Sequence, residues 1–319
     1  MATTGLGMNE RAWAMVDQCL ERSSELGVSA HTLPSGARVV DAGIDAPGGL
    51  EAGRAMAEVC MGGLGSLEFI NVTIGDDWQA VRVWTDHPAE ACTASQYAGW
   101  AIDPGGYFAM GSGPLRAHAR VERELFDKLG YAEDAARGVL VLEGRTLPTD
   151  DVAAWVAAKA RMTPDALTFV VAPTASIAGG VQIVARVLET GLHKMDTLGF
   201  DVTRVTSATG TAPVPPVARN DLRAVGRTND CILYGGQARY VVQAGDEELA
   251  QLAERLPASA SSDYGTPFYD IFKRYDNDFY KIDPMLFSPA EVWLTSATTG
   301  RTFHGGHVNP EVLRASLLS

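Results

Sequence analysis

The segment Leu167-Thr168-Phe169-Val170-Val171-Ala172 constrains the fold most. It is too short for a stable helix and almost wholly apolar, the signature of a strand buried inside a sheet. Directly after it, Ala178-Gly179-Gly180 opens an apolar stretch with helical spacing that predicts a helix over 181–195. The same alternation recurs along the chain. Ala12, Met15, Val16, Cys19 and Leu20 predict a helix stopped by Gly27, and Pro34-Ser35-Gly36 a turn between two extended runs. Gly48-Gly49 opens a second helix to about Cys60, strands follow at 67–74 and 79–85, and a helix is expected over 89–99. A strand over 107–110 leads into Gly111-Ser112-Gly113-Pro114 and a charged helix to Leu129. Further on, 139–142 reads as a strand and 149–160 as a helix with Thr149 as its cap. The runs 231–234 and 239–243 read as strands around Gly235-Gly236. Helices and strands are mixed without one repeating βαβ pattern, so the expected class is α+β.

At 319 residues the chain exceeds one ordinary core, and two lobes are expected, 1–145 and 146–319, with the chain free to cross between them. Gly48-Gly49 continues to Glu58, and Gly179-Gly180 to Glu189, with the glutamate at the same offset. Duplicated lobes and chance both account for that echo. With 26 basic and 39 acidic side chains the net charge is −13, which argues against nucleic acid or an anionic membrane held by bulk electrostatics. It leaves room for a small anion held locally. No apolar stretch is long enough to span a membrane. Met1-Ala2-Thr3-Thr4-Gly5 lacks the layout of a secretory signal, so a cytoplasmic protein is expected. Cys19, Cys60, Cys92 and Cys231 are widely spaced, which disfavours both disulfide scaffolding and a zinc knot. His304 and His307 flank Gly305-Gly306, and the other histidines are scattered, so no metal site is expected.

Gly111, Ser112 and Gly113 lie between a strand and a helix, where free amides can hold an anion. Arg116 stands where a dinucleotide fingerprint needs glycine, and the P-loop ending is missing, so a ligand-free turn reads equally well. Arg116 and Arg120, one turn apart, favour the anion reading slightly. Arg186 and Glu189, three apart on an otherwise apolar helix, share one face. Such a pair is either a surface ion pair or the lining of a cleft, and spacing alone favours the former.

Longer blocks carry more information. Ala91-Cys92, Ala94-Ser95-Gln96-Tyr97-Ala98-Gly99-Trp100, Tyr107-Phe108-Ala109-Met110-Gly111-Ser112-Gly113-Pro114 and Val171-Ala172-Pro173-Thr174 form one set. Val181-Gln182-Ile183 with Ala185-Arg186, Gly226-Arg227-Thr228-Asn229-Asp230, Asp263-Tyr264-Gly265-Thr266-Pro267-Phe268 and Asp278-Phe279-Tyr280-Lys281-Ile282-Asp283 form another. In that order, over nearly the whole chain, they resemble methenyltetrahydromethanopterin cyclohydrolase. Departures are small: Gly179 is followed by glycine rather than serine, and Cys231 stands where alanine is commoner.

The resemblance implies reversible hydration of 5,10-methenyl-tetrahydromethanopterin to the 5-formyl compound, a step of one-carbon metabolism and formaldehyde oxidation. It implies a two-lobed α+β subunit with the pterin in a cleft between lobes, and a homo-oligomer, a trimer in archaeal relatives. The family's catalytic arginine and glutamate fall on Arg186 and Glu189. Ser95, Gln96, Tyr97, Asn229 and Asp230 fall in matching blocks and are candidates for binding the pterin, with structural hydrogen bonding the competing role for each. Gly111 to Gly113 would take an anionic tail or shape the cleft. No prosthetic group is expected, the pterin carrier being substrate. Two rival functions remain at this point: a formyl transferase on the same carrier, for which no acceptor-site motif is visible, and a non-catalytic carrier-binding protein.

Overall fold

The computed structural model describes residues 3–4, 7–278 and 281–318. Met1, Ala2 and Gly5 of the N-terminal reading, and Phe279 and Tyr280 of the last family-like block, lie outside the described residues. The chain forms two compact units, one ending at Gly65 and resuming over Glu90–Gln182, the other made of Ser66–Ala89 and the chain from Ile183 onward.

The path starts with β1 (Thr3–Thr4), α1 (Met8–Glu21), α2 (Ser23–Leu26), β2 (Ser29–Thr32), β3 (Arg38–Asp41) and α3 (Leu50–Cys60). It passes into unit 2 for β4 (Gly65–Ile74) and β5 (Asp76–Thr85), joined at Gly75, and returns through a π-helix (Ala89–Gln96). Unit 1 continues with β6 (Trp100–Ile102), β7 (Ala109–Ser112), α4 (Pro114–Ala119), α5 (Arg123–Leu129) and β8 (Tyr131–Ala132). It closes with β9 (Gly138–Gly144), α6 (Asp150–Ala160) and β10 (Leu167–Ala172). Helix α7 (Ile177–Val184) then carries the chain into unit 2. There follow α8 (Val187–Thr197), β11 (Val205–Pro213), α9 (Asp221–Leu233), β12 (Gln237–Val242), α10 (Asp246–Arg255) and α11 (Phe268–Arg274). The last elements are β13 (Glu291–Ser296), β14 (Thr302–Gly306) and α12 (Pro310–Leu317). No helix among the described residues is long and apolar enough to cross a membrane.

In unit 1 the sheet order is β2-β3-β10-β9-β7-β6, with the central β3, β10 and β9 parallel. Alternate residues of these strands enter different cores. Val39, Phe169, Val171, Leu140 and Leu142 pack with Val152 and Val156 of α6, while Val40, Val170, Val139 and Val141 pack with Val16 of α1 and Met56 of α3. Helices therefore cover both faces, the physical reason for the near-continuous apolar run at 167–172. In unit 2 the order is β14-β13-β12-β11-β5-β4, with β12 and β13 parallel and the β5–β11, β11–β12 and β13–β14 pairs antiparallel. The class is mixed α and β with two sheet-containing units, as the alternation of signals predicts.

Three predicted elements change on folding. Cys231-Ile232-Leu233 ends α9 instead of forming a strand, because Asn220 caps the helix by accepting the Arg223 N–H and the helical ladder runs through the apolar run. The charged helix before Leu129 is broken by Arg120 at φ 49, and the helix expected over 181–195 is broken at Ala185-Arg186. The glycine echo does not fold alike: Gly48 and Gly49 precede α3 with positive φ, whereas Gly179 and Gly180 lie inside α7.

Candidate active site

Arg186 is the N-cap residue of α8 and Glu189 sits in the first turn of that helix. The break before α8 places both at a helix start, where the positive end of the backbone dipole favours a carboxylate. Neither faces bulk water: Arg186 is 7 % exposed and Glu189 5 %. A surface ion pair, the reading that spacing alone favours, is thereby overturned. Two ionisable groups this deep among Val187, Leu188, Leu192 and Met195 are costly to bury unless partners in the protein or a ligand compensate them.

The start of α8 is held against the unit 2 sheet by close approach. A methyl on Gly210 of β11 would lie 2.9 Å from Leu188 and 3.0 Å from Val187, and one on Gly191 only 2.1 Å from the Tyr240 hydroxyl oxygen. That hydroxyl donates to the Leu188 carbonyl at 3.0 Å. Farther along the helix, the Lys194 ammonium donates to the carbonyls of Pro257 (2.6 Å) and Met285 (2.5 Å). The apolar residues of the first turn thus fix the rotation of α8, and with it the directions of Arg186 and Glu189.

Asn229 and Asp230 lie on α9. The Asn229 side chain donates back to the Val225 carbonyl at 2.8 Å. Asp230 is fully buried and accepts the Phe268 N–H at 2.8 Å, tying α9 to the start of α11. Burial pushes its carboxyl up to about 7, opposed by hydrogen bonds from Ser316 and Phe268.

The unit 1 candidates form one packed node. Gly113 N–H donates to the Ser95 carbonyl at 2.7 Å, the Ser95 hydroxyl to the Cys60 carbonyl at 2.6 Å, and the Cys60 sulfur lies 3.2 Å from the Ser112 hydroxyl. Residues 95–97 and 111–113 are therefore neighbours. Ser95 and Gln96 are buried at the end of the π-helix, and Tyr97 is partly exposed beside them. The π-type bond from Tyr97 N–H to the Cys92 carbonyl (2.9 Å) is possible because Arg116 serves the carbonyls of Thr93 (3.1 Å) and Ala94 (2.7 Å). Arg116 is wholly buried, pairs with Glu122 at 3.0 Å and lies over the Tyr97 ring. Its contribution to an anion cradle at Gly111 to Gly113 is overturned, because its guanidinium is committed to these internal partners, and Gly113 N–H faces inward as well. Sequence reasoning missed Tyr240, Gly210 and Cys60, which position the candidates; no motif marks them, since each is recognisable only by what packs against it.

His304 lies on β14 against Glu291 (2.8 Å), while His307 meets the Tyr264 ring edge-on. Among the described residues no group of three or more His, Cys, Asp or Glu side chains is arranged as a metal cluster.

In an α+β protein, a buried carboxylate and arginine within one helical turn are a combination able to serve proton transfer on a bound organic substrate. The family model described as "Cyclohydrolase (MCH)" matches residues 7–317, and the chain belongs to that family. Proteins named methenyltetrahydromethanopterin cyclohydrolase are similar to it throughout. The Methylobacillus flagellatus protein is 46 % identical over 97 % of this chain and 94 % of its own length. Those of Methylobacterium organophilum (44 %, 97 % of each chain) and Methanococcoides burtonii (38 %, 98 % of each chain) follow the same pattern.

Proposed function

We propose that this protein is a methenyltetrahydromethanopterin cyclohydrolase in which Glu189 is the proton-transfer group and Arg186 its orienting cation. The observation that carries the reading is the burial of these two side chains together at the start of α8, held there by Gly210 and Tyr240.

The methenyl carbon lies between two nitrogens that share a positive charge, so it is already electrophilic. The protein must hold a water against that carbon and take one of its protons as the carbon–oxygen bond forms. A carboxylate in a fixed position does this, and Glu189 has the required type and burial. The resulting adduct collapses to a formyl group: the bond from the carbon to the departing nitrogen breaks, the hydroxyl proton is lost and that nitrogen is protonated. One carboxyl serves first as base and then as acid, and the balance is substrate cation plus water giving formyl product plus one proton. Arg186 offers five donors and no acceptor, so it steers the carboxylate or the water and does not act as a base.

Ser95, Gln96, Tyr97, Gly111, Ser112, Gly113, Asn229 and Asp230 remain the proposed pterin-binding set, with Tyr97 best placed to offer a ring face because it is the partly exposed member of the unit 1 node. The test is the loss of the methenyl chromophore in the presence of the purified protein. Catalysed decay with formyl product is expected; binding without turnover would overturn the assignment and leave a carrier-binding protein.

A further inference from the structure

A cavity of about 610 Å³ in unit 1 lies at the end of α4 opposite Gly113 and is lined by residues the proposed reaction does not use. Arg120, Arg123, Lys159 and Arg161 surround it, with His118, Asp127 and Asp134. Four permanent cations and two carboxylates give the lining a local charge excess of +2 in a chain whose net charge is −13. Among the described residues the side chains of Arg123 and Arg161 have no hydrogen-bond or ion-pair partner, and the Lys159 ammonium meets only the Trp155 ring. Arg120 pairs with Asp127 through Nη2, yet its buried Nε has no partner.

The backbone gives a second observation. Four non-glycine residues among those described have positive φ, and two of them, Arg120 (φ 49) and Arg161 (φ 57), line this one cavity. They end α4 and α6, where their backbone N–H groups bond to Arg116 and Ala157 carbonyls. Glycine would make those caps with less strain, so helix termination alone does not account for arginine at both positions. Strain of this kind persists where the side chain is needed. His118 braces the site, its ring nitrogens 3.1 Å from the Glu133 and Ala160 carbonyls.

We propose that this cavity binds a small phosphate-bearing anion. Three planar guanidinium forks and one ammonium suit a multiply charged tetrahedral oxyanion, and the volume falls in the range of small-molecule sites, with space for a diphosphate or a phosphate ester. The inference is independent of the proposed reaction, because its readouts are binding and melting.

Calorimetric titration at constant ionic strength would use pyrophosphate, inorganic phosphate, ribose 5-phosphate and tricarballylate. Saturable binding of a phosphate compound in the millimolar range or tighter is expected. Preference for ribose 5-phosphate over inorganic phosphate would identify an ester as the source of the group, and the reverse order free phosphate. The variant Arg161→Gly should weaken pyrophosphate binding at least about fivefold while melting no lower than the wild type, since glycine relieves the left-handed backbone. The doubly substituted Arg123→Gln, Lys159→Gln protein, altered only at exposed positions, should weaken it similarly, and Arg22→Gln, on an exposed ion pair, should not. No saturable binding, unchanged affinity in the cavity variants, equal weakening by Arg22→Gln, or tighter binding of tricarballylate than of any phosphate would overturn the proposal.

Discussion

At the scale of single residues, Arg186 and Glu189 show what spacing can and cannot reveal. Their identity and separation are visible in the sequence, but burial is not, and burial decides between a solvated ion pair and one enclosed by the protein. Exposures of 7 % and 5 % exclude the solvated pair, and ions so placed must be compensated by fixed partners or by a ligand. The geometry of the cation matters as well as its sign. Arg186→Lys keeps the charge and loses the planar fork, so it should lower kcat at least about tenfold, with KM changed less, if the arginine orients the reacting carboxylate. Steady-state kinetics on the folded variant checks this, and full activity would mean that a point charge suffices. Its block makes Asp230 a candidate for pterin binding with structural hydrogen bonding as the competing role, and its hydrogen bond to the start of α11 supplies a partner that the sequence cannot display.

Elements were most legible where one physical signal dominated. The apolar run at 167–172 becomes a central parallel strand because both its faces are covered, and Gly75 turns β4 into β5 as its flexibility suggests. Legibility failed where a local pattern fits two states. An apolar stretch such as Cys231-Ile232-Leu233 suits a strand or the buried side of a helix, and the distant Asn220 cap decides. The break at Ala185-Arg186 carries no proline, and the glycines nearest to it lie within α7 or α8, not at the break. The link between α9 and α11 makes a pH prediction. The Asp230 carboxyl is raised from its ordinary 3.8 to about 7, so between those values the folded state holds a proton that the unfolded chain releases. Stability from this group is complete below the unfolded value and is lost as pH climbs through about 7. Asp230→Asn removes the dependence, so the melting temperature of the wild type should fall relative to the variant from about pH 5 to about pH 8. Parallel melting curves across that range would show that the carboxyl is already ionised at the lower pH.

For the molecule as a whole, composition and blocks of residues gave different kinds of knowledge. Composition bounded the size and the partners, whereas the order of the blocks pointed to the family that the comparisons establish over residues 7–317. The crossing points after Gly65, Ala89 and Gln182 were not visible, because the β4–β5 pair and α7 read as ordinary members of whichever unit precedes them. The charged positions of α4 illustrate the same limit: Arg116 is committed to Glu122 and two carbonyls, while Arg120, four residues on, opens into a separate cavity. The proposed reaction passes through one carboxylate, Glu189. Replacing Glu189 by glutamine keeps its size and removes its proton chemistry, so decay of the methenyl carrier should slow at least about 100-fold while the carrier still binds. Turnover at the wild-type rate in that variant would contradict the account.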